Sequence, residues 1–431
     1  MLSGSRVTVL GAMRSGRAAA ALALRLGAEV CVTDLDPEAA PVEGARCAMG
    51  HHPDDMLTEA DVVVVSPGVP AAAPPVRRAV KAGVEVVGEL GFAHRFLPPE
   101  LPIVAITGTN GKSTVTSFTG QLLQAAGRRA FVGGNLGTPL SEAVGGDWDV
   151  AVVEVSSYQL ELPGAFRARA AVILNLTPDH LGRHGDMRGY AAAKARIFDR
   201  MGPDDLTTIP VGDALLREAW ADKPGRKCWL GQQPGLTLDG ERAHLFDQEV
   251  SLAGMQVVGR IPRWNAAVAC LLATHAGEAA VPARALAPEQ LVALPHRMEP
   301  VAEQDGVLWI NDSKATNVDA AVAGITSLEQ PGVVLLGGRG KEGSDYGLLA
   351  EALRGRARRV ICFGEAGPVI ADALGRCDRV DRLEDAVALA RAVAQPGDAV
   401  LLSPACASFD AFENFEHRGD AFRRLANGEA L

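Results

Sequence analysis

AITGTNGKST, residues 105–114, decides the fold. It overlaps the apolar run IVAIT (103–107) and precedes VTSFTGQLLQAAG (115–127), a stretch that predicts a helix. A strand feeding a glycine-bearing loop into a helix N-terminus aims unpaired N–H groups and the positive end of the helix dipole at one point, which favours phosphate. The commonest phosphate loop, G-x-x-x-x-G-K-[ST], needs glycine at position 106, where this chain has Ile106; its first glycine is Gly108. Gly108, Thr109, Asn110, Gly111, Lys112, Ser113 and Thr114 are therefore read as a variant loop. Lys112 is expected to neutralise β/γ-phosphate charge and Ser113 to ligate Mg²⁺. A plain Gly-Asn turn capped by Ser or Thr would not require strand, lysine and helix to coincide.

Outward from this loop, apolar runs alternate with alanine- and leucine-rich helical stretches, which predicts α/β layers with mostly parallel sheets. VTVLGAMRSG, AEVCVTD and DVVVVSPG read as successive strands before the loop, each running into a polar or glycine-rich turn. The connector FLPPELP (96–102) suggests a boundary near residue 99, and the Pro-punctuated stretch 281–300 another near residue 294. Three domains result: 1–99, 100–293 and 294–431. Strands are expected again at LWINDSK, GVVLLGGRGK, RVICFGE and AVLLSPACAS. Ligands of open parallel sheets bind beyond the carboxyl ends of the strands, and the polar clusters of this chain lie there.

The 431 residues, 48% hydrophobic and 22% charged, fit a globular protein with ample core. The net charge of −10 argues against a nucleic-acid partner or an anionic-membrane surface. The opening MLSGSRVTVLGAMRSG has no leader-type apolar region, and no run of 18 uncharged apolar residues occurs, so no membrane insertion and a cytoplasmic location are expected. Seven cysteines without a C-x-x-C pair are read as buried free thiols. Only seven of the 42 basic residues are lysine, so a lysine inside a motif draws attention to chemistry that arginine cannot supply.

Four further segments carry candidates. In VVEVSSYQLE (152–161), Glu154 ends an apolar strand, where a carboxylate is costly unless paired or bound to metal; a solvated strand end is the alternative. LNLTPDHLGRHG (174–185) offers Asp179, His180 and His184, although a loop histidine is more often a surface residue. Lys194 in YAAAKARIF, by spacing alone, is a helix-surface lysine. WINDSKATN (309–317) and LLSPACASFDAFENFEHRG (401–419) follow strands and are dense in donors and acceptors. The N-terminal GAMRSG invites a dinucleotide reading, with Asp34 lying 23 residues after Gly11, but Met13 stands where a pyrophosphate needs glycine.

Taken together, TGTNGKST, EVSSYQLE, TPDHLGRHG, AAAKARIF, NDSKATN and SPACASFDAFENFEHRG closely resemble the Mur ligases, ATP-dependent amide-bond-forming enzymes of peptidoglycan synthesis, over nearly the whole chain. The last two segments point to the branch that adds D-glutamate. The resemblance implies Rossmann-like N- and C-terminal domains around a P-loop-type central ATPase domain. They would bind the UDP-substrate in 1–99, ATP in 100–293 and the amino acid in 294–431. It implies that Lys112 and the loop amides hold ATP, that Ser113 and Glu154 hold one Mg²⁺, and that His180 and a carbamylated Lys194 hold a second. Asn265, Arg297 and Asp312 match contacts to the base and ribose, with Lys314 helping at the phosphates. Asp34, Ser66, Asn135, Ser156 and His180 match positions on UDP-N-acetylmuramoyl-L-alanine; Thr316, Lys341, Ser408 and Phe415 match those embracing D-glutamate. A monomer is expected.

Three positions depart from the family pattern: Gly182 where an acid is common, GRIPRWN (259–265) without the usual His-Asn, and Gly340 before Lys341 with an EGS insertion after it. Three rival readings stay open at this point. A folylpolyglutamate synthase would share the ATP loop, a nicotinamide-dependent oxidoreductase would rest on GAMRSG alone, and a nucleotide-binding regulator would not need Glu154, His180 and Lys194 together.

Overall fold

The computed structural model describes residues 2–341 and 343–430. The first sheet comprises β1 (Arg6–Leu10), β2 (Glu29–Asp34), β3 (Arg46–Met49), β4 (Val62–Val65) and β5 (Glu85–Gly88). Its order is β3-β2-β1-β4-β5, with every pair parallel. β4, VVVV, is buried throughout, as a central parallel strand covered on both faces must be. The helix Arg14–Arg25 buries Ala18, Ala19, Leu22 and Ala23 on the sheet. It can sit this close to β1 only because of Gly16, where a Cβ would fall 1.8 Å from the Gly11 carbonyl oxygen. Strand order reverses between β1 and β4, so the crevice at their carboxyl ends is a ligand position.

The second sheet contains β6 (Ile103–Thr107), β7 (Ala130–Gly134), β8 (Val150–Glu154), β9 (Ala170–Ile173), β10 (Leu206–Pro210), β11 (Arg226–Leu230), β12 (Gly235–Asp239), β13 (Arg242–Leu245) and β14 (Gln248–Ser251). The order is β14-β13-β12-β11-β10-β9-β6-β8-β7. β6 lies between β8 and β9, parallel to both, so the loop after it is flanked by the ends of both neighbours. The strands from β12 to β14 form an antiparallel meander. The third sheet comprises β15 (Glu299–Gln304), β16 (Val307–Asn311), β17 (Gly332–Gly337), β18 (Ala357–Phe363), β19 (Asp378–Arg379) and β20 (Ala399–Ala405). Its order is β15-β16-β20-β17-β18-β19, and only β15–β16 is antiparallel.

Residue contacts divide the chain into two compact units. One is Met1–Ser251 with Ala267–Ala287; the other is Leu252–Ala266 with Pro288–Leu431. The segment Leu252–Ala266 belongs to the unit of the third sheet and is bonded to the end of the helix Val318–Ser327: the Ile261 N–H donates to Ser327 Oγ at 3.1 Å, and Arg263 pairs with Glu329 at 2.5 Å. Among the described residues no helix is long and apolar enough to cross a membrane. All seven cysteines are free thiols, and the expectation that they are buried needs correcting for Cys31, Cys47 and Cys377, which are half-buried.

Candidate active site

β6 ends at Thr107, and the chain turns through Gly108 (φ +151°) and Gly111 (φ +83°) before the helix Lys112–Ala125 begins. A Cβ on Gly108 would come within 3.0 Å of Leu174, in a backbone conformation L-residues rarely adopt, so glycine is required. The loop is braced from the end of β9. Asn175 Oδ1 accepts the N–H groups of Thr109 (3.1 Å) and Asn110 (2.9 Å), and its Nδ2 donates to the Asn110 carbonyl at 3.0 Å. Lys112 Nζ donates to the carbonyls of Gly108 (3.0 Å) and Thr109 (2.8 Å), which holds its charge over the loop. Ser113 is buried at the helix start and Thr114 half-buried beside it.

Lys194 departs from what spacing suggests. It is 1% exposed, on the inner face that the helix Met187–Ala195 forms with Tyr190, Ala191 and Ala195. These positions (i, i+1, i+4, i+5) make one stripe, and the lysine lies inside it. Its Nζ donates to the Gly108 carbonyl at 2.8 Å and lies 4.4 Å from the Tyr190 ring centre. Burial, and then the charge of Lys112, push the amine down to about 6, against the opposing pull of Asp179 and Glu154. The phosphate loop and Lys194 therefore meet at one carbonyl.

Glu154 is the last residue of β8, in register with Ile106 of β6 and 2% exposed. Its Oε1 accepts from Asn135 Nδ2 at 2.6 Å, while Oε2 is buried with no hydrogen-bond partner. A buried carboxylate oxygen without a partner is costly, and a hard cation is the ligand that relieves it. Among the described residues no three His, Cys, Asp or Glu side chains form a metal cluster. A cation at Glu154 would therefore draw on Ser113, water and phosphate oxygens, as Mg²⁺ characteristically does. His180 adopts φ +55°, and its Nδ1 lies 3.0 Å from the Tyr158 hydroxyl with Nε2 3.4 Å from Asp179. His184 lies 3.0 Å from Ser157 Oγ and stacks on Tyr190. Ser156 gives both its N–H (2.9 Å) and its hydroxyl (3.1 Å) to Gln159 Oε1.

In the first sheet, the two candidates converge on the turn after β1. Asp34 accepts the Ala12 N–H at 2.6 Å and the Asp36 N–H at 2.9 Å, and Ser66 donates to the Gly11 carbonyl at 2.8 Å. Met13 points outward, 74% exposed.

In the third-sheet unit, Asp312 is buried, accepting the Met298 N–H (3.2 Å) and the Ser403 hydroxyl (2.8 Å). Burial pushes its carboxyl up to about 7. Lys314 Nζ lies 3.6 Å from the Phe415 ring centre, a cation–π contact. Thr316 follows in the turn that leads to the helix capped by Asn317, whose side chain accepts the Ala320 N–H. Ser408 and Asn265 are buried, Arg297 is half-buried, and Lys341 is exposed. Fully buried Arg418 ties the segments together. It donates to Ser313 Oγ (3.0 Å) and to the carbonyls of Ser313 (2.8 Å), Cys406 (3.1 Å) and Ala407 (3.1 Å).

Asn175, Tyr158, Tyr190 and Arg418 are the residues that sequence reasoning passed over. Each lies inside a motif it had singled out. Nothing in LNLTPDHLGRHG marks Asn175, because only the pairing of β6 with β9 brings the end of its strand beside the phosphate loop. Nothing in EHRG distinguishes Arg418 from a surface arginine.

Three family descriptions match this chain in order: Mur ligase MurD-like, N-terminal domain over residues 5–88, Mur ligase middle domain over 106–272, and Mur ligase, glutamate ligase domain over 296–406. The UDP-N-acetylmuramoylalanine–D-glutamate ligase of Anaeromyxobacter dehalogenans (strain 2CP-C) is 45% identical, over 100% of this chain and 99% of that one. The crystal structure of MurF ligase from Thermotoga maritima in complex with ADP superposes with a TM-score of 0.63 at 18% identity, covering 100% of this chain and 96% of that one. A bifunctional folylpolyglutamate synthase/dihydrofolate synthase from Yersinia pestis CO92 gives a TM-score of 0.58 at 18% identity, over 78% of this chain and 92% of that one. Those two likenesses concern the fold; the full-length identity decides the lineage, and the chain belongs to the Mur ligase family.

Proposed function

We propose that this chain joins D-glutamate to UDP-N-acetylmuramoyl-L-alanine with ATP, in the cytoplasmic stage of peptidoglycan synthesis. The observation that carries the reading is the meeting of a phosphate loop, a buried lysine and a buried carboxylate with one unpartnered oxygen, at the ends of β6, β8 and β9. The name of the full-length relative in Anaeromyxobacter dehalogenans supports the choice of both substrates. The chain acts as a monomer, without a nucleic-acid partner; its net charge of −10 suits the latter.

The substrate carboxylate attacks the γ-phosphorus of ATP, forming an acyl phosphate and releasing ADP. The amine of D-glutamate adds to the acyl carbon, and the tetrahedral intermediate expels phosphate, leaving the amide. The difficulty is electrostatic, because an anion must approach a triphosphate. Lys112 and the N–H groups of the loop Gly108–Thr114 hold and neutralise the phosphates. Ser113 and Glu154 would hold one Mg²⁺, and His180 with a carbamylated Lys194 a second. Mg²⁺, when bound, supplies charge neutralisation at the phosphoryl oxygens. Lys194 suits carbamylation because its buried amine is held below the usual lysine range, and a secondary carbamate keeps an N–H for the Gly108 carbonyl. Carbamate formation joins the amine nitrogen to CO₂ and releases one proton.

Asn135 orients Glu154 through its amide, and Asn135, Ser156 and His180 receive the UDP-substrate. Asp34 and Ser66 receive the UDP end. Asn265, Arg297 and Asp312 hold the base and ribose of ATP, and Lys314 its phosphates. Thr316, Lys341, Ser408 and Phe415 receive D-glutamate. Labelling the substrate carboxylate with ¹⁸O tests the route. One ¹⁸O atom should pass into the released phosphate, and unlabelled phosphate alongside labelled amide would exclude the acyl phosphate.

A further inference from the structure

Arg183 lies in the loop that carries His180, on the short helix Leu181–His184, yet its side chain is only 15% exposed. Its guanidinium serves two masters. Nε and Nη2 donate to the two oxygens of Glu161 at 2.7 and 2.9 Å, a bidentate pair. Nη1 and Nη2 also donate to three consecutive carbonyls of the loop after β4: Pro67 (3.3 Å), Gly68 (3.3 Å) and Val69 (3.0 Å). Glu161 closes the circuit by accepting the Ala71 N–H at 3.1 Å. The guanidinium lies 4.7 Å from the centre of the Tyr158 ring, and the Tyr158 hydroxyl is the partner of His180 Nδ1.

The loop after β4 begins with Ser66, and the loop of Arg183 contains His180. We infer that Arg183 and Glu161 are a positioning pair that fixes the Ser66 loop to the His180 loop, setting how the UDP-substrate lies along the first and second sheets. This role rests on the function proposed above. Three carbonyls aimed at one cation cannot relax independently, so removing the guanidinium frees the whole loop rather than one bond. Lysine cannot take its place, since a single ammonium cannot span two carboxylate oxygens and three carbonyls in this fork.

The test compares R183A, R183K and E161Q with the parent protein by two readouts. Hydrogen exchange without substrate should show the amides of residues 68–73 exchanging at least about tenfold faster in R183K and E161Q, with those of the helix Lys112–Ala125 unchanged. In steady-state kinetics the KM for UDP-N-acetylmuramoyl-L-alanine should rise about ten- to hundredfold while the KM for ATP stays within about twofold, and R183K should fare no better than R183A. If R183A does not fold, R183K and E161Q carry the comparison. Unchanged loop exchange in folded variants, or equal changes in the KM values of both substrates, would overturn the pairing. Should the parent protein catalyse no ligation, the proposed function fails while the exchange experiment still decides whether the pair fixes the loop.

Discussion

At the scale of single residues, Lys194 and Asp312 carry the most chemistry per side chain. If a carbamate on Lys194 holds metal, K194A should fold normally and lose turnover by about a hundredfold or more. Bicarbonate with a short-chain carboxylic acid should restore part of it, because the acid can occupy the space and charge of the carbamate. A K194A protein retaining most of its activity would remove Lys194 from the mechanism. Asp312 gives a stability signature instead. Its carboxyl stands at about 7 in the fold against 3.8 as the ordinary value. The fold therefore keeps a proton that the unfolded chain gives up between those values. The contribution is full below the lower value and falls as pH rises toward the upper one, by at most about 1.4 kcal/mol per pH unit. D312N should flatten that fall in urea-denaturation curves across the window; parallel curves for the two proteins would show that Asp312 is not its source. Neither property was legible from spacing. Lys194 sits at a position that a helical wheel of YAAAKARIF leaves ambiguous, since alanines on every side hide which face is inward. Resemblance to a family, not periodicity, singled it out.

At the scale of elements, the strand–loop–helix unit around Gly108 was readable because every part leaves a mark: an apolar strand, glycine, lysine and hydroxyls in fixed order. The bracing amide of Asn175 belongs to a different strand end, and sequence gives no distance between β6 and β9. Its contribution is measurable. N175A removes three bonds to the loop, so the KM for ATP should rise about tenfold with little change in the KM for the UDP-substrate, as expected when about 1.4 kcal/mol of loop organisation is lost. Equal ATP affinity in the variant would mean that the loop holds its shape unaided. Buried parallel strands such as VVVV and VAVVE were legible because both faces are covered and the apolar run is unbroken. The meander from β12 to β14 was not. Its strands, GLTLD, RAHL and QEVS, are short and half-exposed, so no apolar run announces them.

At the scale of the molecule, the three α/β sheets follow from repeated strand-then-helix grammar, and the family from motifs in a fixed order. The fold does not choose among family members, since a folylpolyglutamate synthase shares it at a TM-score of 0.58. What distinguishes one such enzyme from another is the pair of molecules it joins, and that has to be measured. The most direct test is ATP-dependent phosphate release with Mg²⁺ and UDP-N-acetylmuramoyl-L-alanine across a panel of D- and L-amino acids. Release should occur with D-glutamate alone, and the product mass should rise by one glutamyl residue. Release with a different amino acid, or with a folate in place of the UDP-substrate, would contradict the assignment, and silence from a folded, ATP-binding protein would contradict the ligase itself.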